Sequence, residues 1–135
     1  MKKASYAIDF TSQYKNNGQE KEQWLRYVLT GEIVKADNKP YYMGGDIGSI
    51  QVKSAKATAC KGYDIQAYVN QDGATSYAYI TKNYVVYYMS PAEWVKFVKM
   101  FSYRTYESAK NNGTPKMRLY DESKKMLNYL EEHSR

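Results

Sequence analysis

Ile50 and Val52 alternate with Gln51 and Lys53 in the run Gly45-Asp46-Ile47-Gly48-Ser49-Ile50-Gln51-Val52-Lys53. Side chains two apart on a strand share a face, so the run reads as a strand with an apolar side for a core and an amide and an ammonium on the other. A chain carrying it has to build a sheet with at least one covered face. Gly44, Gly45 and Gly48 give the backbone freedom to bring Asp46 beside the polar side from the neighbouring turn. An acid, an amide and an ammonium gathered there have the parts to hold a divalent cation against a phosphodiester. The same alternation is also what any half-solvated antiparallel strand carries, so the run needs support from elsewhere in the chain.

Composition narrows the chemistry. With 135 residues the chain has the size of a single domain and is long enough to bury one core. Cys60 is the only cysteine, which excludes an intramolecular disulfide and a cysteine-based zinc site. His133 is the only histidine and lies in the C-terminal tail, which argues against a Ser-His-Asp triad, a histidine–metal cluster and an HNH-type nuclease. The net charge of +6 suits a polyanionic partner such as nucleic acid, although charge alone specifies none. No apolar stretch is long enough for a bilayer and residues 1–10 lack a signal-peptide core, so the expectation is a cytoplasmic protein without a membrane partner.

The chain reads as one α+β domain, 1–135, with a central mixed or antiparallel sheet flanked by an N-terminal helix and two C-terminal helices. Residues 1–16 read as an extended arm. A helix over Gln19–Leu29 follows, with Trp24, Leu25, Val28 and Leu29 on one side and Thr30-Gly31 as its stop. Strands are expected over 32–36, 41–43 and 49–58, with a turn at 37–40. Tyr63 to Val69 alternates and precedes Asn70-Gln71-Asp72-Gly73, which reads as a strand entering a hairpin. Strands at 76–80 and 84–89 come next. Ser90-Pro91-Ala92-Glu93 combines an N-cap, a first-turn proline and an acid at the third helical position, so a helix opens there and runs to about Phe101. Residues 102–118 read as a basic loop, and Asp121 as the cap of a last helix that docks through Met126, Leu127 and Leu130.

The first helix supplies the support that the strand needs. Gly18-x3-Glu22-x2-Leu25-x3-Leu29 sets one carboxylate at the border of the apolar stripe. This pattern, followed by an Asp and then a strand reading Gln51-Val52-Lys53, resembles the PD-(D/E)XK nucleases, nearest to the archaeal Holliday-junction resolvases. The resemblance covers residues 18–54. It implies a restriction-endonuclease-like fold and a Mg²⁺-dependent DNA endonuclease, with Mn²⁺ able to substitute. Carried over, Glu22 matches the acid of the first helix, Asp46 the Asp of the motif, Gln51 the second acidic position and Lys53 the lysine. Glu22, Asp46 and Gln51 would hold the metal, and Lys53 would position or help deprotonate the attacking water. Gly45 stands where the motif has Pro, and Gln51 stands where it has Asp or Glu. An amide oxygen can ligate Mg²⁺ but brings no negative charge. The family also places a helix after the lysine strand, where residues 63–89 here read as strand-rich.

Two alternatives stay open for the acid. Glu20 lies four before Trp24 and flanks the same stripe, and Glu22 itself is placed to pair with Arg26 as a solvated helix acid. Lys56, Lys61, Arg104, Lys116 and Arg118, with Lys96, Lys99 and Lys110, read as a phosphate-tracking surface, although any one of them is also ordinary solvation. Tyr41, Tyr42, Tyr84, Tyr87 and Tyr88 have base stacking as one reading and cross-strand packing as the commoner one. Asp72, before Gly73, reads as turn chemistry. A homodimer follows by analogy, since cutting both strands of a duplex takes two sites. The small size fits a phage or mobile-element origin. The competing function is a catalytically inactive nucleic-acid-binding module on a nuclease-like fold, with Gln51 the residue that ended catalysis.

Overall fold

Two apolar faces of one sheet organise the molecule. The computed structural model describes residues 1–8, 17–32, 46–106 and 113–135. Its elements in chain order are β1 (Lys2–Ser5), α1 (Asn17–Thr30), β2 (Asp46–Ile47), β3 (Ile50–Ser54), β4 (Thr58–Lys61), α2 (Ile65–Asp72), β5 (Ser76–Ile80), β6 (Val85–Met89), α3 (Pro91–Phe101), β7 (Ser102–Tyr106), β8 (Pro115–Leu119) and α4 (Lys124–His133). A five-stranded mixed sheet runs in the order β1-β6-β5-β3-β2, and a three-stranded antiparallel sheet in the order β4-β8-β7. The fold is α+β, as expected. The second sheet is an addition to that expectation.

Alternation along the strands sends side chains to opposite faces, and each face has its own core. On one, Ile50, Val52, Ala78, Ile80 and Val86 pack with Trp24 and Leu25 of α1. On the other, Tyr77, Tyr79, Tyr87 and Met89 pack with Trp94, Phe97 and Phe101 of α3, with Met126 and Leu130 of α4, and with Met117 and Leu119 of β8. Tyr77 lies flat on Trp94, with ring centroids 5.0 Å apart and planes 4° from parallel. Tyr79 donates its hydroxyl hydrogen to Met126 Sδ at 3.3 Å. The abundant tyrosines thus supply much of the core, and burial pushes the Tyr79 phenol well above its ordinary pKa.

Several elements form as their residues predict. Ser90 accepts from the Glu93 amide at 3.2 Å while Glu93 Oε1 accepts from the Ser90 amide at 2.9 Å, the reciprocal pair that starts α3. Residues 2–5 of the expected arm are extended, and they pair antiparallel with β6. Of the strand expected over 32–36 only Glu32 is described, and it is not in a strand; the rest of it, the strand at 41–43 and the turn at 37–40 lie outside the described residues.

Four expectations are corrected. The single strand expected over 49–58 is two strands, β3 and β4, which belong to different sheets. Residues 65–72 are a helix and not a strand entering a hairpin. Asp64 caps it by accepting from Ala67 N at 3.0 Å, Ile65 and Val69 share its buried side one turn apart, and Gly73 ends it at φ +74°. Residues 102–106 and 115–119 are strands β7 and β8 where a basic loop was expected. Met117 and Leu119 point inward there and Arg118 outward, a period of two that the positive charges obscured. Ser123, not Asp121, caps α4 by accepting from Met126 N at 3.2 Å, while Asp121 binds Lys82 Nζ at 2.8 Å.

Candidate functional site

Gly48 makes the hairpin that carries the candidate site. With φ +61° it takes the first position of the two-residue loop Gly48-Ser49, the glycine-first arrangement whose twist matches its strands. The register sets Asp46 directly opposite Gln51, and Ile47 opposite Ile50. Directly opposed residues of an antiparallel pair share a face, so position 46 belongs to a strand paired with that of Gln51 and not to a turn. Ser49 and Thr75 tie the hairpin tip to the start of β5 through hydroxyls 2.7 Å apart.

β3 then pairs in parallel with β5, with Gln51 beside Tyr77 and Lys53 beside Tyr79. Antiparallel neighbours need only a short turn, but parallel ones need a crossover, and here it contains α2. A helix, α2, thus follows the strand of Lys53, after β4, where a strand was expected. Its last residue, Asp72, reaches back to the polar side of β3. Gln51 Nε2 donates to Asp72 Oδ1 at 3.4 Å, and the Tyr77 hydroxyl donates to Asp72 Oδ2 at 2.8 Å. Asp72 thus does more than turn chemistry. Sequence reasoning missed it because 63–69 read as a strand; taking Asp64 as a cap before Ile65, Tyr68 and Val69 at helical spacing would have found it.

Lys53 lies half-buried one alternation beyond Gln51, and its ammonium donates to the Thr58 carbonyl at 3.1 Å. Its charge is felt by the neighbouring Cys60. Burial raises that thiol's pKa, Asp64 raises it further and Lys53 draws it down, with the net shift upward. Cys60 is accordingly a protonated core residue, not a nucleophile.

Glu22 stands apart from this group. α1 packs on the face of the sheet formed by Ile50 and Val52, whereas Gln51 and Lys53 belong to the face of Tyr77 and Tyr79. The sheet therefore lies between the helix that carries Glu22 and the polar side of β3. Glu22 is also buried, at 8% exposure, so it is not the solvated helix acid of the alternative reading. Glu20, its rival, accepts from the Tyr84 hydroxyl at 3.1 Å. The structure brings Gln51, Lys53 and the backbone of Asp46 together, adds Asp72, and does not bring α1 to them.

The basic residues divide in the same way. Lys61 on β4 is the register partner of Lys116 on β8, and Arg118 is the partner of Tyr103 on β7 and of Thr58 on β4. These residues alternate with Met117 and Leu119, so they lie on the outer face of the small sheet. Lys56 occupies the turn between β3 and β4 at φ +64° and pairs with Asp121 at 3.7 Å. Arg104 leans over the Tyr63 ring, 4.6 Å from its centroid. Neither belongs to that face. Lys110, Tyr41 and Tyr42 lie outside the described residues. Tyr84 packs on Trp24, Tyr87 donates to Glu131 at 2.6 Å, and the Tyr88 and Tyr6 hydroxyls meet at 3.0 Å, so these three tyrosines are packing residues.

Asp46, Gln51 and Asp72 offer oxygen donors only, the set that suits a hard divalent cation and suits zinc or copper poorly. Among the described residues no three His, Cys, Asp or Glu side chains gather, so any such site depends on the Gln51 amide oxygen. Gln51 can present that oxygen or its nitrogen toward Asp72 by a half-turn of the amide. No helix among the described residues is long and apolar enough to cross a membrane. No protein-family model, no curated protein and no solved structure matches the chain.

Proposed function

We propose that this chain is a Mg²⁺-dependent DNA endonuclease whose centre is the β2–β3 hairpin. The observation that carries the reading is the register of Asp46 opposite Gln51, with Lys53 one alternation on. The strand's crossover through α2 to a parallel neighbour adds support. Asp46, Gln51 and Asp72 would hold the metal. The chemistry a bound Mg²⁺ supplies is acidification of a water and neutralisation of charge developing on the phosphoryl oxygens.

The chain's own groups do the rest. Tyr77, immobilised on Trp94, holds the Asp72 carboxylate through its 2.8 Å hydrogen bond. Lys53, anchored at the Thr58 carbonyl, stands one alternation from Gln51, where its charge would favour the more anionic transition state. No histidine is required. Glu22 is given no part in the centre.

An inactive binding module is the second reading. Gln51 supplies no negative charge, and both Asp72 oxygens already accept hydrogen bonds, which favours a centre in which polar groups satisfy each other. End-labelled DNA incubated with the wild-type protein and Mg²⁺, Mn²⁺ or EDTA separates the two. The nuclease reading expects strand scission with either metal and none in EDTA. Binding without scission under all three conditions selects the inactive module and sinks the nuclease.

A further inference from the structure

The outer face of the small sheet gathers cations from segments far apart in the chain. Lys61 of β4 stands beside Lys116 of β8, and Arg118 follows two residues along β8, roughly 6.8 Å further. Lys61 and Arg118 are exposed, and neither has an ion-pair partner among the described residues. In this they differ from Lys3, Lys56 and Lys82, whose charges are met by Glu131 and Asp121. A row of like charges is costly to keep unless a polyanion meets it.

Aromatic rings border the row. Tyr103 is the register partner of Arg118 and is 38% exposed, and Tyr120 is 52% exposed, with its ring centroid 4.9 Å from that of Tyr103. Two exposed rings beside three cations combine a phosphate track with a stacking platform, which bases reach only when they are unpaired. The face adjoins the proposed centre, because the Thr58 carbonyl that accepts from Lys53 belongs to the residue opposite Arg118.

We infer that the outer face of β4-β8-β7 binds single-stranded DNA, with Lys61, Lys116 and Arg118 on its phosphates and Tyr103 and Tyr120 stacked on its bases. The inference rests on the nuclease reading only for the identity of the polyanion. It names the form of substrate, an unpaired strand or flap passing beside Lys53.

Fluorescence anisotropy in EDTA, with a labelled 20-nucleotide single strand and a duplex of the same length, tests the face independently of cleavage. The wild type is expected to bind the single strand more tightly. Lys61→Ala/Lys116→Ala/Arg118→Ala is expected to lower the slope of log K against log salt by about two. Tyr103→Ala is expected to weaken single-strand binding roughly tenfold with the slope unchanged, a separation that misfolding would not produce. Lys3→Ala/Lys82→Ala, which removes two paired lysines elsewhere, is expected to leave both quantities unchanged. No binding by the wild type, a preference for duplex, or an unchanged slope in the triple variant overturns the inference. Binding that behaves as expected in a protein that cleaves nothing upholds the face and sinks the nuclease instead.

Discussion

Trp94→Ala is expected to bring the protein to the edge of unfolding at 25 °C. Trp94 is fully buried, lies flat on Tyr77 at 5.0 Å and leans on Phe97 at 5.7 Å. Removing a buried indole costs about 3–5 kcal/mol through lost transfer energy and the cavity left behind. Typical domain stabilities are only about 5–15 kcal/mol. The loss also reaches the site, because Tyr77 holds Asp72. Trp94→Phe is expected to cost far less, about 1 kcal/mol. It keeps most of the packing and removes an indole N–H that is buried without a hydrogen-bond partner among the described residues. Urea denaturation followed by circular dichroism reads both. A cost below about 1 kcal/mol for Trp94→Ala would contradict the packing described here.

Asp46→Asn is expected to lower metal-dependent cleavage about 10³-fold, some 4 kcal/mol of transition-state stabilisation, with single-strand binding in EDTA unchanged. It keeps the side-chain volume and removes the negative charge at the position paired in register with Gln51. Asp72→Asn is expected to cost roughly 10–100-fold, since Asp72 both faces Gln51 and is itself held by Tyr77. Glu22→Gln is expected to leave the rate within about threefold, because the sheet separates α1 from the polar side of β3. Initial cleavage rates of the three variants at saturating Mg²⁺ give the comparison. Equal losses for Glu22→Gln and Asp46→Asn would return the helix acid to the centre and refute the arrangement across the sheet.

Local chemistry explains which parts of this molecule could be read from its residues. The Ser90-to-Glu93 cap and the α1 stripe of Trp24, Leu25 and Val28 are decided within one or two turns, and the structure follows them. The alternation of β3 was equally legible, and with it the pairing of Gln51 and Lys53 on one face. Residues 63–73 misled because Tyr63, Ile65, Ala67 and Val69 alternate while Ile65 and Val69 are also one helical turn apart; the Asp64 cap and the packing of α2 on β4 and α3 decided for the helix. The three-stranded sheet was hidden for a different reason. Its strands come from residues 58–61, 102–106 and 115–119, and only their pairing shows that Lys61, Lys116 and Arg118 share a surface. The face that α1 covers is likewise a long-range outcome that no spacing within residues 18–54 encodes. Asp72 enters the site for the same reason, through a contact 21 residues distant in sequence.

Manganese uptake, followed by the loss of the free Mn²⁺ electron paramagnetic resonance signal, tests the β2–β3 hairpin as a cation site most directly. The account predicts that the wild type takes up the ion, that Asp46→Asn abolishes uptake and that Gln51→Glu, by adding a negative charge, tightens it at least about tenfold. Uptake that is the same in all three proteins, or absent even from Gln51→Glu, would contradict it.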